Sequence, residues 1–388
     1  MILKRIPQHD TSIQAPRLHA RLRAGLLASG LFCLGIGSAW ATGTDNLEPM
    51  GEFVNFTQWQ GVADFIDSVV TRDGFDRTAL EAMLRKAQYI DSAVRLMKPA
   101  PPGRPKNWQT YRARFVEPIR IRIGTAFWDA HADALARAEA RFGVPAEIIV
   151  GIIGVETVYG RNTGNFRVMD AITTLAFAYP NTPNRDARMT YFRGELENTL
   201  LFARESGIDP FSLYGSYAGA IGLPQFMPGS IRQYAIDFDG DGKIDLRNSP
   251  VDAIGSVANF LVEHGWKSGE PIVFPASVRA ASGTVSPIPG DGPDLAPAAD
   301  NGWQKFIAQG LEAKFTAEEL AAAGVTPASP LPADMRFGLV DLQNGNGPTD
   351  YWLGTNNFFA ITKYNRSFFY AMSVVDLGRA VRAARSIR

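Results

Sequence analysis

Cysteine is almost absent: the 388 residues contain one, Cys33, inside an apolar stretch near the amino end. A disulfide framework is therefore excluded, and a chain of this length can bury an adequate core without one. An excess of charge of one sign is lacking too. Lys+Arg 39 balances Asp+Glu 39, so no footprint for a polyanion such as nucleic acid stands out. The apolar stretch from Ala24 to Gly37 is too short to span a bilayer comfortably, and no internal repeat is visible. The length suggests one large domain or two to three smaller ones, and the apolar fraction of 46% is ordinary for a globular protein.

The amino end has the form of an export signal. Lys4, Arg5, Arg17, Arg21 and Arg23 make a long basic region, Ala24 to Gly37 an apolar one, and Ala39-Trp40-Ala41 a small-residue cleavage site. Residues 1–41 are predicted to be a signal peptide cut after Ala41, with an uncleaved anchor as the alternative. Cleavage removes five basic residues and one acidic residue, leaving a net charge of −4. Cys33 follows Phe32, with Gly30 three places before it. A lipidated cysteine wants a small residue and a leucine there, so an outer-membrane lipid anchor is not expected.

The remainder is predicted to be mainly α (α+β). Phe53 to Gln88 reads as helical, with Asp76 capping one helix. Ile119 to Phe142 reads as one long amphipathic helix ending near Gly143. Further helices are expected over Ala171–Ala178, Tyr191–Ala203, Asp252–His264 and Phe368–Arg385. Pro99 to Pro105 is a Pro/Gly loop, and from Phe274 to Asp300 the chain is dense in Pro, Ala, Gly and Ser. Short strands are expected at Ile272–Phe274, Ser277–Arg279, Met335–Leu342 and Asn357–Ile361. Thr316-Ala-Glu-Glu319 is a capping box.

The most informative stretch is Val144 to Gly160. Pro145 suits a first helical turn, an almost wholly apolar run follows, and it ends on a single carboxylate, Glu156. A helix apolar on all sides is buried. A carboxyl in such surroundings is pushed toward its protonated form, which is what a general acid needs at neutral pH. The competing reading is a glutamate at a solvated helix end closed by Gly160. No second acidic residue follows until Asp170, and Asp129 and Asp133 lie on a polar helix face where salt bridging is the expected role.

Asp237-Phe-Asp239-Gly-Asp241-Gly242 matches the first half of an EF-hand loop, with carboxylates at positions 1, 3 and 5 and glycine at 6. Lys243 would offer its backbone carbonyl. Position 12 is Asn248 where glutamate is usual, and Asp252, at the start of the next helix, would close the site instead. Alternating aspartates repel one another without a cation, so a structural Ca²⁺ site is favoured over an acidic surface turn.

Four segments in order resemble the lytic murein transglycosylase B family of bacterial cell-wall enzymes. They are Ile152-Ile-Gly-Val-Glu-Thr-Val-Tyr-Gly160, Gly215 to Ser230, the acidic loop Asp237 to Asp245, and Tyr351 to Phe358 together with Ile361 to Ser367. The resemblance covers roughly Phe53 to Leu377. It implies a lysozyme-like helical core with an added helical segment and a small β-containing domain. The boundaries expected on that basis are a helical segment over 42–143, the catalytic core with its calcium-type loop over 144–270, a small mixed insert over 271–345, and a carboxy-terminal motif and helix over 346–388.

By resemblance, Glu156 is the sole acid/base. Tyr111, Ser216, Gln225, Tyr364, Asn365 and Tyr370 line the glycan groove, and Arg188 lies near the peptide stem of the substrate. The chain departs from the family pattern at Gly229, where serine is usual, at Phe260, where tyrosine is usual, and in a small insertion over Asn181–Asp186. The activity implied is cleavage of the MurNAc–GlcNAc β-1,4 bond of peptidoglycan, with closure to a 1,6-anhydro sugar and no water consumed. A water-using muramidase and a non-catalytic peptidoglycan-binding protein are the alternatives. Glycan strands are the implied partner, other cell-wall enzymes are further candidates, a monomer is expected, and no organic cofactor is implied. Signal and substrate together place the protein in the periplasm.

Overall fold

The computed structural model describes residues 60–99, 105–279, 302–308 and 310–387. The signal region with Cys33, and most of the Pro/Ala/Gly/Ser-rich segments, lie outside them. Helices α1 (Gln60–Asp73), α2 (Arg77–Lys86) and α3 (Asp91–Leu96) come first, then α4 (Trp108–Arg112), α5 (Pro118–Ala130), α6 (Ala132–Phe142) and α7 (Ala146–Thr157). Next follow β1 (Phe166–Arg167), α8 (Val168–Phe177), α9 (Arg185–Ser206), β2 (Tyr214–Gly215), α10 (Pro228–Tyr234) and α11 (Pro250–Glu263). The chain continues through β3 (Val273–Val278), α12 (Gln304–Ala308), α13 (Ala317–Ala322), β4 (Val325–Pro327), β5 (Gly338–Asn344) and β6 (Gly347–Gly354). It closes with α14 (Asn356–Tyr364) and α15 (Phe368–Ser386).

The main core is built on α7. Ile148, Ile149, Val150, Ile152 and Ile153 are each fully buried, which stabilises the fold by about 1.5–3 kcal/mol per side chain. Glu147, in the first turn of the helix, pairs with Arg382 at 2.9 Å. Helix α15 lies directly against α7. A methyl group on Gly151 would strike the carbonyl oxygen of Val374, and one on Gly378 would strike that of Glu147. The two backbones therefore touch, and filling either position would overpack the contact at a cost of about 1–3 kcal/mol.

The polar signals near the helix ends act as expected. Asp76 accepts from Ala79 N at 2.8 Å, and the Thr316/Glu319 capping box closes in both directions. The amino-terminal helices are tied down by Asp170, 2% exposed, which accepts from Gln88 N at 2.9 Å and pairs with Arg167 at 2.6 Å.

Three expectations are corrected. The helix expected over Ile119–Phe142 is two helices, broken at His131 (φ −123°, ψ 28°). Their partners differ, since α5 packs on α15 and α6 on α11. The strand expected at Asn357–Ile361 is helix α14. A short continuous apolar run carries no period that separates strand from buried helix. Capping decides it here: Thr355 Oγ1 accepts from Asn357 N at 3.2 Å. The Asn357 side chain also accepts from Lys267 N at 2.7 Å and donates to the carbonyls of Lys267 and Glu270, both at 2.8 Å.

The expected strands on either side of Pro275 are one strand, β3, in an antiparallel sheet ordered β4-β3-β6-β5. Phe274 faces Leu353 and Val340 faces Trp352 across its ladders. A second, smaller core of Phe306, Leu320, Val325, Phe337, Leu339 and Leu353 lies against it.

Candidate active site

Helix α7 delivers Glu156 on its last turn and then stops abruptly. Val158 (φ 51°), Tyr159 (φ 59°) and Gly160 (φ 86°) are all left-handed. Among the described residues the only other non-glycine in this region is Gln225, also at φ 51°. A left-handed β-branched residue is a genuine outlier, and each such residue costs of order 1–3 kcal/mol unless its surroundings over-determine it. All three of these residues lie in the two segments that the motif reading singles out.

Glu156 is half-buried, and its carboxyl group is surrounded by protein. Burial pushes its pKa up from 4.5 to about 7, against the Tyr370 hydroxyl, which pulls it down. Tyr370 Oη donates to Glu156 Oε1 at 2.6 Å. Among the described residues no charged neighbour contributes to the shift. The stability gained by keeping this acid neutral is full below about 4.5 and is lost as the pH rises through about 7. The solvated-helix-end reading of Glu156 is thereby set aside.

Other expected site residues converge here. Tyr364 stacks on Tyr370 (centroids 6.4 Å apart, 19° between planes), and its hydroxyl donates to Pro224 O at 2.9 Å. Burial and the nearby Glu156 push the Tyr364 phenol well above its ordinary range. Gln225 follows Pro224, and its amide donates to Gly222 O at 2.9 Å and Thr163 O at 3.2 Å. Asn365 ends α14 in an extended conformation and is buried. Ser216 Oγ accepts from Ala220 N at 3.0 Å, within a turn that bridges Gly215, Ile221 and Phe226. Tyr111 packs on Phe369 at 5.4 Å, one residue from Tyr370, and α4 is held to α15 by Arg112 and Asp376 at 2.5 Å.

Arg188 is placed differently. Its guanidinium lies over the rings of Tyr179, Tyr191 and Phe192 at 5.2–5.6 Å, on α9. The nearby Glu195 is a buried carboxyl that the sequence reading missed. It accepts from Gly229 N at 2.8 Å and from the Tyr191 hydroxyl, yet burial still raises its pKa. The signal was present in the spacing: Phe192, Glu195, Leu196 and Thr199 share the buried face of α9. A methyl group at Gly229 would lie 3.1 Å from Glu195 Oε1, so the glycine there suits this contact. Asp129 pairs with Arg385 at 2.6 Å, the role expected of it. Phe260 fills the space beside the tyrosine pair, 4.7 Å from Tyr364 and 5.5 Å from Phe226.

In the acidic loop, Asp237, Asp239 and Asp252 bring carboxylate oxygens within 4.8 Å of one another. Three converging hard oxygen donors fit a cation such as Ca²⁺. Asp252, 1% exposed, also accepts from Phe238 N at 2.8 Å and Asp245 N at 2.9 Å. Asp241 is exposed and turns back to accept from Lys243 N at 2.8 Å, so its carboxylate stands outside the trio, and the ligand expected from Lys243 is its backbone carbonyl. Asn248 donates to Asp245 Oδ2 at 2.9 Å rather than closing the loop. The loop reaches the site through Leu246, whose carbonyl accepts from Leu223 N at 2.8 Å.

Comparison with known proteins gives consistent matches. The family profile described as Transglycosylase SLT domain matches residues 56–379. Membrane-bound lytic murein transglycosylase B of Escherichia coli (strain K12) is 43% identical over 343 residues, 86% of this chain and 85% of that protein. The structure of the E. coli lytic transglycosylase Slt35 in complex with calcium is 43% identical with a TM-score of 0.71, covering 86% of this chain and 96% of that one. The complex of Slt35 with bulgecin A gives the same figures. SltB3 of Pseudomonas aeruginosa in complex with NAG-anhNAM-pentapeptide is 28% identical, with a TM-score of 0.65 and coverage of 85% and 80%.

The Glu156–Tyr370 contact makes a directional prediction. In Tyr370→Phe the group that holds the carboxyl down is gone, so Glu156 should titrate above its value of about 7. Carbon-13 NMR of the labelled carboxyl reads both proteins. An unchanged or lower midpoint would show that this hydroxyl does not stabilise the carboxylate.

Proposed function

The chain belongs to the Transglycosylase SLT domain family, and from that membership we infer which of its residues carry the reaction. It is a lytic murein transglycosylase, a peptidoglycan-cleaving lyase that forms 1,6-anhydroMurNAc, on the lysozyme-like helical fold of such enzymes.

Glu156 is the single acid/base. Near neutral pH it is substantially protonated, and its proton goes to the oxygen linking MurNAc to GlcNAc as the C1–O bond breaks. The substrate's own 2-acetamido group shelters the cation left at C1. Glu156, now a carboxylate accepting from Tyr370, takes the proton of the C6 hydroxyl as that oxygen bonds to C1. The acid is regenerated and no water enters. The observation that carries this reading is the Glu156 carboxyl at the buried end of α7, 2.6 Å from Tyr370 Oη and held toward its neutral form by burial. A hydrolytic mechanism uses two carboxylates a short distance apart.

Around this centre we assign Tyr111, Ser216, Gln225, Tyr364, Asn365 and Tyr370 to the glycan groove, and Arg188, with its aromatic surround, to the peptide stem. We also assign segment boundaries at Gly143 and Glu270; the boundary expected at Gly345 falls in the turn between the paired strands β5 and β6, so the small sheet continues to Gly354. A relative bound to NAG-anhNAM-pentapeptide supports a peptide-bearing glycan strand as the partner.

Calcium would be held by Asp237, Asp239 and Asp252, as an oxygen-ligated charge that relieves their repulsion. Its role is structural: it fastens the loop to α11. The amino end is assigned as a cleavable export signal leading to the periplasm. No helix among the described residues is long and apolar enough to cross a membrane.

Mass spectrometry of soluble products from purified peptidoglycan should find 1,6-anhydro ends with the wild type and none with Glu156→Gln. Reducing ends, heavier by one water, would make the protein a muramidase, and an active Glu156→Gln would remove Glu156 from its role.

Calcium at a hundred times its Kd should stabilise by about 2.7 kcal/mol, seen as a rise in Tm that chelator reverses and Asp239→Asn abolishes. A Tm indifferent to calcium would end the cation-site assignment.

Amino-terminal sequencing of the protein from the cell envelope should begin at Thr42-Gly43-Thr44. A retained Met1 would end the cleavable-signal assignment.

A further inference from the structure

We propose that Thr157 is a positioning residue for the reaction: its buried hydroxyl locks the end of α7 that presents Glu156 to the segment carrying Pro224 and Gln225. The proposal rests on Glu156 being the acid/base. Thr157 is 0% exposed. Its Oγ1 lies 2.9 Å from Leu223 O and 3.3 Å from Ile153 O. A hydroxyl has one proton to give, and the shorter contact leads out of the helix. A threonine bonded only to the carbonyl four residues back would be an ordinary helical threonine. The same oxygen accepts from Gly160 N at 3.0 Å.

One side chain thus closes two connections. The first spans the left-handed pair Val158 and Tyr159, whose strained backbone needs a fixed far end. The second clamps Leu223, whose N–H is already committed to Leu246 O at 2.8 Å in the acidic-loop segment. The next two residues are held from other directions, Pro224 O by the Tyr364 hydroxyl and the Gln225 amide by Thr163 O. Without the Thr157 hydroxyl, Gly160 N and Leu223 O lose their partner together, and the end of α7 is free to shift against Tyr370. Displacement of a reacting group by about 1 Å costs up to ~100-fold in rate.

The test compares Thr157→Val, which keeps the shape and loses the hydroxyl, with Thr157→Ser, which keeps the hydroxyl, using soluble peptidoglycan fragments as substrate. Thr157→Val should lower kcat by about 10- to 100-fold while KM moves less than roughly threefold. Thr157→Ser should return to within roughly threefold of wild type. Hydrogen exchange at the Gly160 amide should accelerate in the valine variant and not in the serine variant. If Thr157→Val does not fold, the Ser/Ala pair at this position reads the same hydroxyl.

The proposal is overturned if Thr157→Val keeps wild-type kcat, if Ser and Val lose activity equally, or if only KM changes. Glu156→Gln measured alongside separates the two ideas. An active Glu156→Gln sinks the acid/base reading, whereas an inactive one beside a fully active Thr157→Val sinks the positioning role alone.

Discussion

The contact on which the rest depends is the close approach of α7 and α15. Gly151 and Gly378 let the two backbones meet without intervening side chains, and that approach fixes which residues of α15 face the end of α7. Tyr370, in the first turn of α15, then lies 2.6 Å from the carboxyl of Glu156. The helix that carries Glu156 must be apolar to sit in the core, and the same apolar packing makes the Glu156 carboxyl reluctant to ionise. Stability and reactivity come from one arrangement.

Burial by itself favours the neutral form of Glu156. The Tyr370 hydroxyl counters this by donating to the carboxylate. The result is a pKa of about 7, at which the group can give and retake a proton. The left-handed turn after Glu156 points the same way. Strain is concentrated at Val158, Tyr159 and Gln225, and hydrogen bonds from Thr157 and the Gln225 amide lie beside it.

The acidic loop is remote in sequence from Glu156 and close to it in bonding. Asp252 holds Asp245 N, Leu246 O holds Leu223 N, and Leu223 O holds Thr157. The small sheet makes a comparable connection on another side. Strand β6 ends at Gly354, next to the Thr355 cap of α14, and α14 ends in Tyr364 and Asn365. Peripheral elements thus reach the centre through the backbone of a few loop residues.

The local signals in the sequence were enough for what is determined locally. The apolar run before Glu156, the Asp76 and Thr316 caps, and the spacing of Asp237 and Asp239 with Asp252 all specify structures whose determinants lie within a few residues or turns. They also made the predominantly helical class legible. Three features were decided only by tertiary structure. The helix over Asn357–Ile361, capped by Thr355, is anchored through the Asn357 side chain to the backbone of Lys267 and Glu270. The helix expected over Ile119–Phe142 breaks at His131 because its halves pack on different partners. Glu195 is a buried acid because Gly229 and Tyr191 close over it. Even the pKa of Glu156 belongs to this second group: the sequence placed one carboxyl at the end of an apolar helix, but a hydroxyl 214 residues away sets how tightly it holds its proton, because hydrogen bonding and desolvation act through space and carry no signature in local residue spacing.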